Sequence, residues 1–358
     1  MCSVFAENEP GATLIIRRGD SIVYERSIGL SNLATGKKMR SSTMMCLASS
    51  TKSFTAVALL KLQHEGRLSL EDELIKYFPK LPADVYGGIT LRHVLTQTSG
   101  IPDLRPRTPQ EWRSYTANTK SVFGDNSDFL AYGREDELTA YLQHVDSLNF
   151  APGSTYENQD PPYMLLMSVI EQASGMNFEN YMHSEIFAPA GIKSATFVAP
   201  DSDILETVHA YRPAEPDTKA SVYRSSDGRW EEYDFGEAKY FMSRADRGLY
   251  MSAIDFSRWQ SIFLTDALLP SELIRELEEP LVPTHIPGVS YNMGFFVVQR
   301  PGMPEKLYLR SAHGGFSAIE SLFIDSGVSY VILSNRNDWD RKEMTEKLEL
   351  IMHNNNLI

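Results

Sequence analysis

The chain has 358 residues, 42% hydrophobic and 23% charged, an ordinary globular composition with room for an extensive core in two lobes. A net charge of −13 argues against nucleic acid or an anionic membrane surface as the main partner. Cys2 and Cys46 give no disulfide framework or zinc spacing, and the eight His form no His-Glu-x-x-His pattern. No run reaches the roughly 18 apolar residues of a membrane span. Met1 to Pro10 is acidic and polar, so the sequence as written reads as cytoplasmic; a mature exported form would read the same.

Thr13–Arg18 and Ser21–Arg26 flank Gly19-Asp20, which predicts a hairpin. Ser49 and Lys52 then stand three apart ahead of Val57–Leu62, an apolar run with no Gly or Pro. The spacing predicts a helix buried on most sides and closed at Gly66, with Ser49 and Lys52 on one face of its first turn. Burial should favour a neutral Lys52, able to take the Ser49 proton, and the helix N-terminus offers N–H groups to an oxyanion. Taken alone, a Ser-x-x-Lys spacing is weak, since most such pairs are solvated surface residues. Cys46, just ahead among apolar residues, reads as packing.

A short helix is expected from Leu68 to near Pro79, and another capped by Thr90, with His93 in a structural bond. From Leu104 to Phe150 the chain is polar and dotted with Trp112, Tyr115, Phe123, Phe129 and Tyr132, which suits either a lid or a small packed subdomain. Glu135–Val145 reads as helix. Asp160 as N-cap with Pro161 at the first position opens a helix over Tyr163–Ala173, closed by Gly175. Further helices are expected over Phe178–Ile186 and Gly248–Leu264. The β-rich runs Asn292–Gln299, Lys306–Arg310, Ala318–Ile324 and Ser329–Leu333 follow, then a charged helix over Arg341–Met352. The expected fold is therefore mixed α/β (α+β). An antiparallel sheet from the N- and C-terminal strands is flanked by helices and interrupted by a mainly helical lobe. The expected division is a sheet lobe of 1–85 and 285–358, carrying the nucleophile helix 49–65, and a helical lobe of 86–284 with lid-like loops.

These motifs together resemble the serine β-lactamase and penicillin-binding-protein-like superfamily, nearest to its class C β-lactamase, D,D-carboxypeptidase and esterase branch. The resemblance runs over essentially the whole chain. It rests on Ala48–Ala56, Leu95–Ile101, Pro152-Gly153 with Tyr163–Leu166, Gly248–Ser252 with Asp255, and His313-Gly314-Gly315 followed by Leu333-Ser334-Asn335, in that order. It implies a β-lactamase/transpeptidase-like fold and an acyl-enzyme on Ser49, with Lys52 helping to remove its proton. It further implies Tyr156 as partner base, Asn158 holding substrate and Lys52, His313, Gly314 and Gly315 lining the cleft, and Ser49 and Phe316 N–H groups as oxyanion hole. No cofactor is implied.

Two departures bear on activity. Counting back from Tyr163 without a gap puts Asn158-Gln159-Asp160 where the family has Tyr-x-Asn; Tyr156-Glu157-Asn158 needs a two-residue shift. The shifted register is preferred because it supplies the phenol; in the ungapped one Tyr156 is a packing aromatic and catalysis is weak or altered. The strand motif carries His313 in place of Lys, charged only part of the time near neutrality. The expected function is a serine hydrolase acting on a small ester, amide or D-amino-acid peptide. β-Lactamase, D,D-carboxypeptidase, acyltransferase and a catalytically quiet ligand-binding homologue are the alternatives.

Overall fold

The computed structural model describes residues 1, 4–102, 139, 142–197, 203–216, 223–234 and 244–358. The aromatic stretch with Trp112, Tyr115, Phe123, Phe129 and Tyr132, and most of the helix expected over Glu135–Val145, lie outside them.

The hairpin forms as expected. Strand β1 (Ala12–Arg18) turns at Gly19, φ +54°, into β2 (Ser21–Ile28). Short strands β3 (Leu30–Asn32) and β4 (Lys37–Lys38) pair with each other in what reads as a loop. Further along come β5 (Met44–Cys46), β6 (Thr196–Phe197), β7 (Tyr211–Pro213), β8 (Trp230–Glu232) and β9 (Leu249–Ser252). The C-terminal part supplies β10 (Val282–Pro283), β11 (Val289–Asn292), β12 (Phe295–Val298), β13 (Lys306–His313), β14 (Phe316–Phe323) and β15 (Val328–Ser334).

The main sheet is antiparallel with order β10-β11-β12-β13-β14-β15-β1-β2. The chain's first strand thus lies beside its last. Strands β14 and β15 are buried along their whole length, because helices cover both faces of the sheet. On one face lie α1 (Thr51–His64) and α3 (Ala253–Ser261); between them in sequence comes α2 (Pro161–Ser174), packed on α1. On the other, Leu14, Ile16, Tyr330 and Ile332 meet Met344, Leu348 and Met352 of α4 (Arg341–Asn354).

Helix α1 is the centre of the larger core. Phe54, Val57, Leu59, Leu60 and Leu62 are fully buried, and Phe54 stacks on Trp259 of α3 at 3.9 Å between ring centroids. The helix stops where glycine permits it: Gly66 has φ +70°, Gly66 N–H donates to Gln63 O and Arg67 N–H to Leu62 O. Two expectations need correction. The helix expected to start at Leu68 forms only over Leu74–Tyr77. The helix expected over Gly248–Leu264 begins as strand β9, pairing with β5 on one side and β6 on the other, and turns helical only at Ala253.

The sheet is tied to α1 at a point where only glycine fits. Gly294, φ +95°, joins β11 to β12, and a Cβ there would lie 2.8 Å from Ser53 Cα. Gly294→Ala is expected to destabilise the fold by about 1–3 kcal/mol through backbone strain and overpacking, read as a lower urea midpoint. An unchanged midpoint would show that the helix can shift away from the sheet.

Candidate active site

The nucleophile turn precedes the helix. Ala48–Ser50 is a 3-10 turn, and α1 proper starts at Thr51, two residues later than the sequence reading. Ala48 has φ +48°, a left-handed conformation unfavourable for any residue with a Cβ. Several ties hold it. Cys46 Sγ accepts the Ala48 N–H at 3.4 Å, Leu47 N–H donates to Leu249 O at 2.9 Å, and Ser311 Oγ donates to Leu47 O at 2.8 Å. Burial pushes the Cys46 thiol up to about 12, which keeps it a neutral packing group as expected. The turn presents Ser49 part-exposed between buried Ala48 and Ser50.

Lys52 is 2% exposed and donates from Nζ to Ser49 Oγ at 3.1 Å. The same ammonium meets Asp160 Oδ1 at 2.5 Å. A carboxylate in contact favours the charged form of an amine and so opposes the effect of burial. Asp160 Oδ2 in turn takes Arg247, which also bonds the buried Asp246 at 3.0 Å. Two cations and two carboxylates thus form one buried network. Asp160 is the N-cap residue of α2, yet its side chain makes no cap bond because it is turned toward the cations.

In the second motif Asp160 reaches Lys52, and it is the position met by counting back from Tyr163 without a gap. Asn158 is exposed. Gln97 sets the loop: its carbonyl accepts Glu157 N–H at 3.0 Å and its Oε1 accepts Gln159 N–H. The Tyr156 ring packs on Tyr291 at 5.2 Å and Phe296 at 6.2 Å. Burial and then the neighbouring Tyr291 hold its phenol well above the ordinary value, which disfavours the phenolate a base requires. His93 is structural: its Nδ1 accepts the Thr90 N–H at 3.1 Å while Thr90 caps the helix over Leu91–Leu95.

His313, Gly314, Gly315 and Phe316 form the two-residue turn between β13 and β14, with His313 opposite Phe316. Ser50 and Ser311 hydroxyls, 3.2 Å apart, join the nucleophile turn to the strand ending in His313. Glycine is required at the turn: Gly314 has φ +56°, and a Cβ there would lie 2.3 Å from Asp234 O. Gly315 N–H donates to Tyr233 O at 2.8 Å, and Asn337 Nδ2 donates to Gly314 O at 2.6 Å. Phe316 is buried edge-on against Tyr250. Behind the turn, His209 lies 2.9 Å from Asp234 and 3.7 Å from Glu232, the group of metal-type side chains close to one another among the described residues. Burial opposes the charge on His209, but the hydrogen bond and charge of Asp234 outweigh it and raise its pKa. The trio is closed on itself by the His209–Asp234 bond.

The Beta-lactamase family model matches residues 4–352. The chain belongs to the Beta-lactamase family. It is 29% identical over 180 residues to penicillin-binding protein 4* of Bacillus subtilis (strain 168), a match spanning 50% of this chain and 36% of that protein. Two solved structures share the fold at a TM-score of 0.75. The octameric penicillin-binding protein homologue of Pyrococcus abyssi is 24% identical and is matched over 93% of this chain and 71% of its own. The D-amino acid amidase of Ochrobactrum anthropi SV3, complexed with L-phenylalanine, is 19% identical, with 97% and 94% covered. No helix among the described residues is long and apolar enough to cross a membrane.

Removing one partner of a buried charge network leaves the others uncompensated. Asp160→Ala is therefore expected to cost about 3–5 kcal/mol of stability, measured by urea unfolding. A loss below about 1 kcal/mol would mean that Lys52 and Arg247 find water instead.

Proposed function

We propose that the protein is a serine hydrolase that takes the acyl group of a small ester, amide or D-amino-acid peptide onto Ser49. The observation that carries this reading is the Lys52 ammonium, held between Ser49 Oγ at 3.1 Å and Asp160 at 2.5 Å. Ser49 Oγ attacks the carbonyl carbon. Its proton passes to Lys52 as Lys52 hands one of its own to Asp160, so the lysine charge is the same before and after. Backbone N–H groups of Ser49 and Phe316 take the developing oxyanion. The proton returns through Lys52 to the leaving group, and water then releases the acid and restores Ser49. Arg247 supplies a second cation to the Asp160 carboxylate.

The substrate class is supported by two things. One fold neighbour of nearly equal extent is a D-amino acid amidase. The cleft motif offers His313 where the resemblance leads one to expect a lysine, so a permanent cation for a β-lactam carboxylate is missing from that position. Tyr156 has no proton-transfer step in this scheme. A second reading, a quiet ligand-binding homologue, is favoured by Lys52 resting in an ion pair and by the packing of Tyr156.

Intact-mass spectrometry with a fluorophosphonate separates the two readings. A single adduct on Ser49, absent in Ser49→Ala, is the expected result; no adduct on the wild-type protein would favour the quiet homologue. Tyr156→Phe is expected to change ester turnover by less than about threefold, whereas loss of a general base costs about 10²–10⁴. A drop of that size would restore Tyr156 to the proton path.

A further inference from the structure

The helix over Leu91–Leu95 ends in a left-handed residue that is not glycine. Gln97 has φ +59°, its N–H donates to Val94 O at 3.1 Å, and Thr98 N–H donates to His93 O at 2.8 Å. Glycine is the usual residue at this point of such a helix end, because a Cβ is crowded in the left-handed region. Gln97 is also buried, only 2% exposed. A strained residue persists where its surroundings hold it, and such residues gather at functional sites. What the side chain does there is therefore the question to ask of it.

Residues 155–159, which lead to Asp160, form neither helix nor strand. Glu157 N–H donates to Gln97 O at 3.0 Å and Gln159 N–H donates to Gln97 Oε1; these are the backbone N–H bonds of that stretch among the described residues. Gln97 Nε2 is buried without a partner among them, so the amide acts through its oxygen. Asp160 comes next, its carboxylate 2.5 Å from Lys52 Nζ, and Nζ lies 3.1 Å from Ser49 Oγ. Each link from Gln97 to Ser49 is thus a hydrogen bond, an ion pair or one peptide step. We infer that Gln97 is a positioning residue for Lys52: its side-chain oxygen fixes the loop end that sets Asp160 against the ammonium beside Ser49. A glycine would close the helix equally well but has no oxygen to offer.

Without Oε1 the N–H of Gln159, a residue 1% exposed, is left unpaired, so the loop end moves to find another acceptor and Asp160 moves with it. In the proposed reaction the Ser49 proton passes to Lys52 as Lys52 hands one to Asp160. With that carboxylate out of contact, Ser49 reacts only where Lys52 has first given a proton to solvent, so reactivity rises with pH. The other titratable groups on the elements around Lys52 are few. From α2 comes the Tyr163 ring, 5.5 Å from Nζ, its phenol held up by burial. The segment before β9 brings Arg247 and Asp246, and the Cys46 thiol of β5 is neutral. Glu157 accepts from Asn149 and Gln159, Glu320 of β14 accepts from Gln260, and Asp255 of α3 accepts the Lys193 and Ser194 N–H groups. At the far end of α1, Lys61 pairs with Glu65 and Glu185. His313, at the end of β13, is the same in every variant below and cancels between them.

The effect on reactivity rests on the Ser49 reading, but the placement of Asp160 has a readout of its own. Gln97→Gly keeps the helix end, removes the oxygen and relieves the left-handed strain, so it is expected to fold. The probe is a fluorophosphonate, in which Ser49 Oγ bonds phosphorus as fluoride leaves. Labelling should fall about tenfold at about pH 7 in Gln97→Gly and recover toward the wild-type rate by about pH 9, while the wild type shows no such rise. In an Asp160→Asn background the same change should alter labelling by less than about twofold, because the carboxylate it positions is gone. Urea unfolding should show the two substitutions costing less together than the sum of their separate costs. A pH profile of the same shape in Gln97→Gly and the wild type, or an equal fall in the Asp160→Asn background, overturns the role in reactivity. Additive losses of stability overturn the placement of Asp160 by Gln97, whatever Ser49 does. If Asp160→Asn does not fold, the pH profile of Gln97→Gly decides alone. Absence of labelling in the wild type at every pH refutes the Ser49 reading instead, and the unfolding comparison then decides whether Gln97 places Asp160.

Discussion

A lysine ammonium with almost no access to water needs a counter-charge, and the placement of Asp160 against Lys52 is the constraint around which the site is arranged. Lys52 belongs to the first turn of α1 and Asp160 to the start of α2, so the pair fixes where the two helices meet. Asp160 gives up its capping role in the process. Pro161 makes this inexpensive, since the first helical position then has no N–H to satisfy. Arg247 brings a third segment to the same carboxylate. It directly precedes the stretch that becomes β9, whose partner β5 feeds the nucleophile turn. One charge cluster therefore joins three stretches far apart in sequence.

The turn itself is strained, and its surroundings explain why it persists. A left-handed alanine is held only when neighbouring structure over-determines it. Here Cys46 accepts from its N–H, and β9 and Ser311 take both polar groups of Leu47. All of these sit on sheet strands. The strands are thus more than a scaffold: Cys46 of β5, the Leu249 carbonyl of β9 and Ser311 of β13 hold the turn that carries the serine. Strand β14 starts at Phe316, next to the Gly314-Gly315 turn.

Local features were legible in the sequence. The β1–β2 hairpin follows from a Gly-Asp turn between β-rich runs, the end of α1 from Gly66, and the start of α2 from Asp160-Pro161. Each depends on residues a few positions apart. The strand β9 was misread as helix because Leu249–Ser252 has no local strand signal strong enough to oppose the helix after it; its pairing partners lie at 44–46 and 196–197. The contact of Asp160 with Lys52 is half visible in the sequence: the ungapped count from Tyr163 puts Asp160 in the second motif, whereas the register that supplies a phenol puts Tyr156 there. A carboxylate on a buried lysine 108 positions away leaves no mark in local periodicity. Arg247 was missed for the same reason.

By itself, then, the sequence determined the family, the β1–β2 hairpin, the ends of α1 and α2, and a serine three residues before a lysine at the start of a buried helix, because these are written in short-range spacing and residue type. Only the tertiary structure decided which carboxylate meets the lysine and that Tyr156 packs on Tyr291 and Phe296. Charge pairing and burial depend on distances between segments that periodicity does not encode, and in a buried network those distances decide which groups are charged.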